Sequence, residues 1–273
     1  MHARLLGIAQ DGGFPQPGCT CPNCTNPDLP ASSSVCLAII DEESQSYWLI
    51  DAPPQFEQAT RPLAHLTLKG IFLTHAHIGH YTGLIFLGNE ARSTQNLPVY
   101  CSGQMHSFLS NNEPWASLIR NQNILIQELE SYESTVLTPN LTIAQIAVPH
   151  RPDFTDTFAY FVIGPRKSLL YCPDINFWPN NDRSFRTIFE LNEYLLLDAT
   201  FYSRAELPGR DLSKIPHPFV VDTHIHLKEY ANKTTLIHLN HSNPILNKNS
   251  PETKATRELG FSIGQVGQAF DLA

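Results

Sequence analysis

The sequence predicts a layered α/β domain, in which sheets and helices pack around one core. Segments with the apolar pattern of strands dominate the first and third quarters of the chain, and segments with helical spacing lie between them. The chain of 273 residues is long enough to bury a sizeable core, and its sequence contains no internal repeat or coiled-coil pattern. We therefore expect residues 1–273 to form a single α/β domain.

Strands and helices are expected to alternate along the chain. Segments with the pattern of strands are 3–9, 35–40, 47–50, 69–73, 97–101, 142–148, 157–163, 168–171, 194–197 and 234–239. Segments with helical spacing are 81–92, 104–120, 183–192 and 251–259, the last of which begins with a proline. This order predicts sheets that are covered by helices.

The composition argues against several classes of function. The formal net charge of −8 at pH 7 does not favour binding of duplex nucleic acid through overall charge. No run approaches the roughly 18 apolar residues that a bilayer-spanning helix needs, and the N-terminal residues lack the pattern of a signal peptide. We expect a cytoplasmic protein that acts on a small-molecule substrate, without a membrane partner. A homodimer is compatible with the sequence.

A cluster of histidines follows the predicted strand 69–73, at His75, His77 and His80. Imidazole binds Zn²⁺, Fe²⁺ and Mn²⁺ through a neutral ring nitrogen. A tight loop after a strand can turn His75 and His77 toward one ion, whereas His80 faces a neighbouring position. The alternative interpretation is a set of exposed loop histidines without a ligand.

Three more candidate ligands occur in order downstream. His150, Asp174 and His238 each lie at or just beyond the C-terminal end of an apolar predicted strand. Residues at such strand ends collect at one edge of a sheet, where functional sites are commonly built. Any one of them alone would more often be structural, so the ordered set carries the prediction of a metal centre.

A second metal site is predicted in the loop 14–24. Cys19, Cys21 and Cys24 present three thiols within six positions, which is typical of a tetrahedral Zn²⁺ site that needs a fourth ligand. His241 is our candidate for that ligand. The alternative is a group of buried or free thiols. The remaining cysteines lie in apolar strand patterns and are expected to be core thiols: Cys36, Cys101 and Cys172.

The histidine series resembles the signature of the metallo-β-lactamase superfamily, His-x-His-x-Asp-His, and the order of the downstream ligands matches across nearly the whole chain. The resemblance implies an αββα sandwich with metals along one sheet edge. It also implies a first metal on His75, His77 and His150, a second on His80 and His238, and Asp174 as the bridge. Zn²⁺, Mn²⁺ or Fe²⁺ would occupy these positions.

The sequence departs from this signature at Gly79, where the family has an aspartate that binds the second metal. Without this carboxylate, we expect a weaker second site and fewer than two tightly held metals in the active site. On the same reasoning, Gly79→Asp would raise the occupancy of the second site.

Two segments indicate a narrower group. Residues 12–24 and 238–245, with a Gly-Gly-Phe-Pro-Gln turn, Cys-x-Cys-x-x-Cys and a late His-x-x-His, resemble the pyrroloquinoline quinone biosynthesis protein B group. A branch with the same cysteine motif contains the cyclic phosphodiesterase of phosphonate breakdown. Many members of the protein B group have lost metal-binding histidines, whereas this chain keeps His75 and His77, which favours a hydrolytic relative.

The resemblance implies a metal-dependent hydrolase acting on a phosphodiester or another small ester-like substrate. Asp174 would orient the attacking water, and His217 would protonate the leaving group. Residues 195–201 resemble the strand and turn that precede a catalytic histidine loop in phosphodiesterases of the superfamily. His224 and His226 are better explained as part of an ordinary helix N-terminus.

Two other functions remain open at this point. The same ligands could hold Fe²⁺ and activate O₂ in a quinone-cofactor pathway. Alternatively, the chain could be a carrier that uses the fold to bind a small molecule, although the complete first set of metal ligands argues against this interpretation.

Overall fold

The computed structural model describes residues 1–179 and 183–273, and two β-sheets form its centre. In chain order, the strands of the described residues are β1 (His2–Ala9), β2 (Ser33–Ser34), β3 (Cys36–Asp41), β4 (Ser46–Ile50), β5 (Thr67–Phe72), β6 (Leu97–Cys101), β7 (Ile124–Glu128), β8 (Ser134–Thr138), β9 (Leu141–Ala147), β10 (Phe158–Ile163), β11 (Ser168–Cys172), β12 (Tyr194–Asp198), β13 (Thr234–Ile237), β14 (Ser262–Ile263) and β15 (Ala269–Asp271).

Helices cover the outer faces of the sheets. The α-helices are α1 (Phe56–Thr60), α2 (Ile78–Tyr81), α3 (Gly103–Asn111), α4 (Trp115–Arg120), α5 (Arg183–Leu191), α6 (Val220–His226) and α7 (Pro251–Glu258). Short 3-10 helices are Arg61–Leu63, Thr82–Leu87, Arg204–Glu206, Leu212–Lys214, Lys228–Lys233 and Pro244–Leu246. Among the described helices, none combines the length and apolar character needed to cross a bilayer.

Both sheets have an antiparallel half and a parallel half. The first has the order β15-β1-β3-β4-β5-β6-β7, with β2 paired to β1, and it is parallel from β4 to β7. The second has the order β14-β13-β12-β11-β10-β9-β8, and it is parallel from β11 to β14. In the parallel halves, the carboxyl ends of neighbouring strands face the same edge, which is the edge where the predicted ligands lie.

The alternation of side chains along β3 shows how the layers are built. Leu37 and Ile39 pack in the core between the two sheets, whereas Cys36, Ala38 and Ile40 pack under the helices on the outer face. Successive side chains of a strand point to opposite faces, so one strand contributes to both cores. The resulting αββα sandwich confirms the predicted fold class.

The helix predicted over 81–92 is wrong in type and length. The chain forms the short helix α2 and then the 3-10 helix Thr82–Leu87. The N–H of Gly83 donates to the carbonyl of Ala52 (N···O 3.0 Å), so it is not available for an α-helical bond to the carbonyl four residues earlier.

The helix predicted over 104–120 is two helices, α3 and α4. They are separated at Pro114, because proline lacks the N–H that would continue the first helix. The strands that the sequence did not predict are β2, β7, β8, β14 and β15. Four of these, all except β2, are the outer strands of their sheets, and edge strands need less apolar character than central strands.

Hydrogen bonds between the sheets fix the segment that carries the first histidines. The hydroxyl of Tyr160, which is fully buried in β10, donates to the carbonyl of Leu73 (2.7 Å). The N–H of Phe158 donates to the carbonyl of Thr74 (3.0 Å), and that of Ala76 donates to Oγ1 of Thr155 (3.1 Å). The second sheet therefore holds the backbone that leaves β5.

We predict that Tyr160→Phe lowers the free energy of unfolding by about 1–3 kcal/mol, because it leaves the buried carbonyl of Leu73 without its donor. Urea unfolding of the full chain measures this change. Tyr132→Phe is the matched control, since Tyr132 is 75% exposed, and it should leave stability unchanged. Equal stability of the two variants would show that this bond does not stabilise the fold.

Candidate metal centre

The ends of four strands bring the predicted ligands together. The segment after β5 carries His75 and His77, and α2 carries His80. The segments after β9, β11 and β13 carry His150, Asp174 and His238. All of these side chains are buried except that of His77, which is partly exposed.

The first group of ligands comprises His75, His77, His150 and Asp174, whose candidate donor atoms all lie within 4.8 Å of one another. Nε2 of His150 lies 3.5 Å from Oδ1 of Asp174, and Nε2 of His75 lies 3.9 Å from Oδ2 of the same residue. The structure thus assembles the predicted first set around a common point, with the Asp174 carboxylate at one side.

The second group faces the other side of the same carboxylate. Nε2 of His80 and Nε2 of His238 each lie 3.1 Å from Oδ2 of Asp174. Asp174, which is only 1% exposed, is therefore close to both groups, as the predicted bridging ligand would be.

A buried Asp–Thr pair orients the histidines of the first sheet. The hydroxyl of Thr74 donates to Oδ1 of Asp51 (2.9 Å), so its oxygen can accept a hydrogen bond from the N–H at Nδ1 of His75 (3.0 Å). The other oxygen of Asp51 lies 2.7 Å from Nδ1 of His80. With Nδ1 occupied in both rings, Nε2 of His75 and Nε2 of His80 are directed to the centre.

The second sheet repeats this arrangement with Asp198 and Thr200. The hydroxyl of Thr200 donates to Oδ1 of Asp198 (2.7 Å) and lies 2.8 Å from Nδ1 of His238. Oδ2 of Asp198 accepts from Nδ1 of His217 (2.8 Å). Asp51 and His238 also adopt positive φ angles of 69° and 61°, and such backbone conformations in residues other than glycine are concentrated at functional sites.

Burial and charge set the protonation of these groups. Burial lowers the pKa of His75 well below its ordinary value, and it lowers that of His150 to about 4, so both rings are neutral. Burial would raise the pKa of Asp174, but the surrounding histidines, His238 first, hold it well below the usual range. Neutral imidazoles and an ionised carboxylate are the forms that bind metals.

A second, independent observation also indicates that these residues bind a metal ion. In residues 1–179 and 183–273, Nε2 of each buried ring in the centre lacks a hydrogen-bond partner, as does Oδ2 of Asp174. The rings concerned are those of His75, His80, His150 and His238. Buried polar atoms without partners are costly, and several of them converging on one point indicate that a cation satisfies them.

His217 lies at the rim of this cluster. Its side chain is 4% exposed, and its ring centroid lies 5.4 Å from that of His150 and 5.9 Å from that of His238. Burial alone would lower the pKa of His217, but the charge and hydrogen bond of Asp198 outweigh it and raise the pKa. A histidine in this state can hold and deliver a proton next to the centre.

The turn after β1 adds a carboxylate that the sequence did not indicate. Oδ1 of Asp11 accepts from the N–H of Gly79 (3.1 Å) and lies 3.6 Å from Nε2 of His80. A Cβ atom at Gly79 would lie 2.6 Å from Cα of Asp11. A side chain introduced at Gly79 would therefore have to share its space with Asp11, which the sequence did not indicate.

The cysteine loop forms a separate cluster. The donor atoms of Cys19, Cys21, Cys24 and His241 all lie within 4.8 Å of one another, and Nδ1 of His241 lies 3.4 Å from Sγ of Cys19 and from Sγ of Cys21. The side chain of Asn23 donates to the carbonyl of His241 (3.0 Å), which ties the loop to the segment after β13.

The thiols of this cluster differ in acidity. Burial would raise the pKa of Cys21, but hydrogen bonds from the Cys24 backbone and from His241 lower it to about 6. Burial and the neighbouring thiols raise the pKa of Cys24 to about 11. All of these thiols can be ionised together near neutral pH only if a bound cation offsets their negative charge, as in thiolate metal sites. As predicted, Cys36, Cys101 and Cys172 are buried, and all six cysteines are free of disulfides.

Several residues of the centre were missed in the sequence. Asp51 directly follows the apolar strand β4, and Asp198 is the last residue of the apolar strand β12, which is the same kind of signal that pointed to Asp174. Thr74 and Thr200 have no distinguishing pattern, and Asp11 lies in a Gly-rich turn far from the histidine motif. The predicted position of His224 and His226 at a helix N-terminus is wrong. Both lie in the last turn of α6, which begins at Val220.

Comparisons with known proteins agree with this geometry. A family model described as a beta-lactamase superfamily domain matches residues 47–239. The chain is 28% identical over 317 aligned positions to the coenzyme PQQ synthesis protein B of Klebsiella pneumoniae strain 342, covering all of this chain and 98% of that protein.

Solved structures with the same fold include the Zn²⁺-bound PqqB from Methylobacterium extorquens, with a TM-score of 0.85, 19% identity and full coverage of both chains. A diphosphatase from the PhnP family has a TM-score of 0.73 and 18% identity, covering 99% of this chain and 97% of that chain. The segment matched by the family model contains both histidine groups and Asp174, and it spans well over half of the sequence. The chain therefore belongs to the β-lactamase superfamily.

Proposed function

We propose that the protein is a metal-dependent hydrolase that acts on a phosphodiester or another small ester-like substrate. The observation that carries the proposal is the convergence of buried, unpartnered Nε2 atoms on the ionised carboxylate of Asp174. A set of this kind has no use in a packed core, where unpartnered polar atoms cost stability. Membership of the superfamily supports the hydrolytic interpretation.

The donors available suit Zn²⁺, Mn²⁺ or Fe²⁺, since imidazole and carboxylate bind all three. His75, His77 and His150 would hold the first ion together with Asp174, and His80 and His238 would hold a second ion on the other side of Asp174. A bound ion would act as a Lewis acid: it would polarise the scissile group and lower the pKa of bound water to roughly 7.

The protein's own residues then position and move protons. Asp174 is the acceptor that would orient the attacking water, because both of its oxygens face the cluster. Asp198 holds the Nδ1 proton of His217, which leaves Nε2 of that ring as the atom that donates to the leaving oxygen. The raised pKa of His217 supports the role of a proton donor.

The cysteine cluster is proposed to hold a structural Zn²⁺ on Cys19, Cys21, Cys24 and His241. Three sulfur ligands and one nitrogen ligand with no carboxylate are typical of a closed tetrahedral zinc site, which has no open position for substrate.

A second candidate function is favoured by the full-length relatives. They are named coenzyme PQQ synthesis protein B and are 28% identical or less among those compared. We infer as the alternative an oxidative or carrier role in the synthesis of a quinone cofactor. In the oxidative version the ion would be Fe²⁺, since this metal activates O₂ on histidine and carboxylate ligands.

Anaerobic purification separates the two candidates. The hydrolase proposal expects hydrolysis of phosphodiester substrates with added Zn²⁺ or Mn²⁺ and no O₂ consumption. Iron as the native active-site metal, with O₂ uptake and no hydrolysis, would favour the oxidative role instead. Binding of a quinone precursor without turnover of any kind would favour the carrier role.

We predict that His77→Ala abolishes turnover and lowers the metal content of the active site, because removal of one of three histidine ligands strips or misplaces the ion. Metal analysis and a phosphodiesterase assay on the same sample check this. His65→Ala is the control, since His65 is exposed and outside the centre, and it should behave as the native protein. Full metal content in His77→Ala would contradict the ligand assignment.

His217→Ala should keep the metal and lose rate, since general acid catalysis contributes about 10²–10⁴-fold. The loss of rate should be smaller for a nitrophenyl ester than for an alkyl ester, because the nitrophenolate leaving group departs without protonation. The comparison uses both substrates, with His106→Ala as the control, since His106 is a partly exposed residue of α3 outside the metal groups. Equal losses on the two substrates would rule out the acid role.

Cys21→Ser is expected to remove one zinc ion per chain, about one equivalent by metal analysis, and to lower the melting temperature, since structural zinc contributes folding free energy. Thr20→Ser in the same loop is the control, because Thr20 is exposed and outside the donor set. Unchanged zinc content and an unchanged melting temperature in Cys21→Ser would show that the cluster is not a structural zinc site.

A further inference from the structure

The second half of the metal centre has two imidazoles and, at Gly79, no carboxylate from the histidine motif. Nε2 of His80 and Nε2 of His238 are buried and lack hydrogen-bond partners among the described residues. Asp174 alone would therefore have to supply every oxygen ligand of a second ion. A further donor aimed at these two atoms would complete the site.

Asp11 supplies that donor from another part of the chain. One carboxylate oxygen of Asp11 and one ring nitrogen each of His80 and His238 lie within 4.8 Å of one another. Oδ1 of Asp11 is 3.6 Å from Nε2 of His80, which is the atom that Asp51 leaves free by occupying Nδ1. Three separate segments thus surround one point.

Gly79 is required by the approach of Asp11. The φ angle of Gly79 is not in the left-handed region, so the backbone there does not need glycine. A Cβ atom at this position would lie 2.6 Å from Cα and 2.7 Å from Oδ1 of Asp11, which is closer than real Cβ contacts occur. The N–H of Gly79 also donates to Oδ1 of Asp11 (3.1 Å). The missing side chain and the incoming carboxylate therefore occupy the same space.

The backbone around Asp11 is fixed to both sheets. The N–H of Gln10 donates to the carbonyl of Leu239 (2.9 Å), and the N–H of Leu239 donates to the carbonyl of Ile8 (2.8 Å). The hydroxyl of Ser34 donates to the carbonyl of Asp11 itself (2.7 Å). The end of β1 is thereby joined to the residue after His238, and the carboxylate needs no rearrangement to face the centre.

We propose that Asp11 is a ligand of the second active-site metal, where it replaces the carboxylate that the superfamily signature carries at the position of Gly79. The second site then consists of Asp11, His80, His238 and the bridging Asp174. Two nitrogen and two oxygen donors suit Zn²⁺ or Mn²⁺. With Asp11 as a ligand, the second site has four protein ligands, in contrast to the weak site that we expected from the sequence at Gly79. This inference rests on the proposed metal-dependent function.

The test measures metal binding to the full chain, with Zn²⁺ or Co²⁺ titrated against a chromophoric chelator. The native protein should bind two ions at the active site besides the ion of the cysteine cluster. Asp11→Asn keeps an oxygen that accepts from Gly79, so it preserves the fold, and Asp11→Ala removes the donor completely. Both should weaken binding of one ion by at least roughly 10–100-fold, since even indirect partners of a metal ligand have effects of this size.

Asp28→Asn is the matched control, because Asp28 is an exposed aspartate of the same N-terminal segment and lies outside the metal groups. It should bind all ions with native affinity. A crystal structure with anomalous scattering then locates the lost ion. The peak between His80 and His238 should disappear in Asp11→Ala, and the peak at His75, His77 and His150 should remain.

Displacing Asp11 provides a stricter test. Gly79→Asp should lose the second ion, because its Cβ atom would lie 2.6 Å from Cα of Asp11 and would push that residue away from His80 and His238. If Asp11 were not a ligand, the added carboxylate would instead strengthen binding of the second ion.

Three results would overturn the inference: a single active-site ion in the native protein, unchanged binding in both Asp11 variants, or a gain of binding in Gly79→Asp alone. These outcomes are separate from failure of the proposed function. If the native protein hydrolyses none of the substrates but the Asp11 variants lose one ion, the ligand assignment stands and the hydrolase proposal falls.

Discussion

The buried carboxylate of Asp174 is the constraint on which the centre depends. Imidazole nitrogens from five histidines lie 3.1–3.9 Å from its oxygens, in a site that is almost closed to solvent. An isolated charge at such a position would cost several kcal/mol. The histidines, and the cations that their free nitrogens imply, are what make an ionised carboxylate stable there, and the strands that deliver them must all end at the same edge.

The two sheets solve the problem of orienting those histidines in the same way. Each sheet has a buried aspartate at the end of a central strand, Asp51 directly after β4 in one and Asp198 as the last residue of β12 in the other, and a threonine hydroxyl donates a hydrogen bond to it. Each aspartate also lies within hydrogen-bond distance of Nδ1 of a histidine, which leaves Nε2 of that ring free. The difference between the halves lies in what the second histidine does. His80 faces a metal position, whereas His217 lies at the rim and is available to move a proton.

The N-terminal segment links the two clusters of metal-binding residues. Residues just after β1 bring Asp11 to the active centre, and the loop that follows carries the cysteines. On the other side, His238 and His241 belong to the same short segment after β13. A zinc ion on the cysteines would therefore clamp the loop to the strand end that also carries an active-site ligand. The cysteine cluster, although separate in chemistry, would then support the geometry of the histidine centre.

The sequence by itself determined the fold class and most of the donor set. The period of the apolar residues predicted the central strands, and His75, His77, His80, His150, Asp174 and His238 were recognisable because each follows such a strand or belongs to a compact motif. Chemically distinctive cysteines made the second cluster equally visible. Local patterns failed where partners are distant: Gly83 bonds to Ala52 and converts an expected α-helix into a 3-10 helix, and edge strands carry too little apolar signal. Only the tertiary structure shows that Asp11 lies against Gly79, although the two are 68 residues apart in the sequence. The reason is that sequence spacing does not indicate which two turns come into contact when two sheets pack.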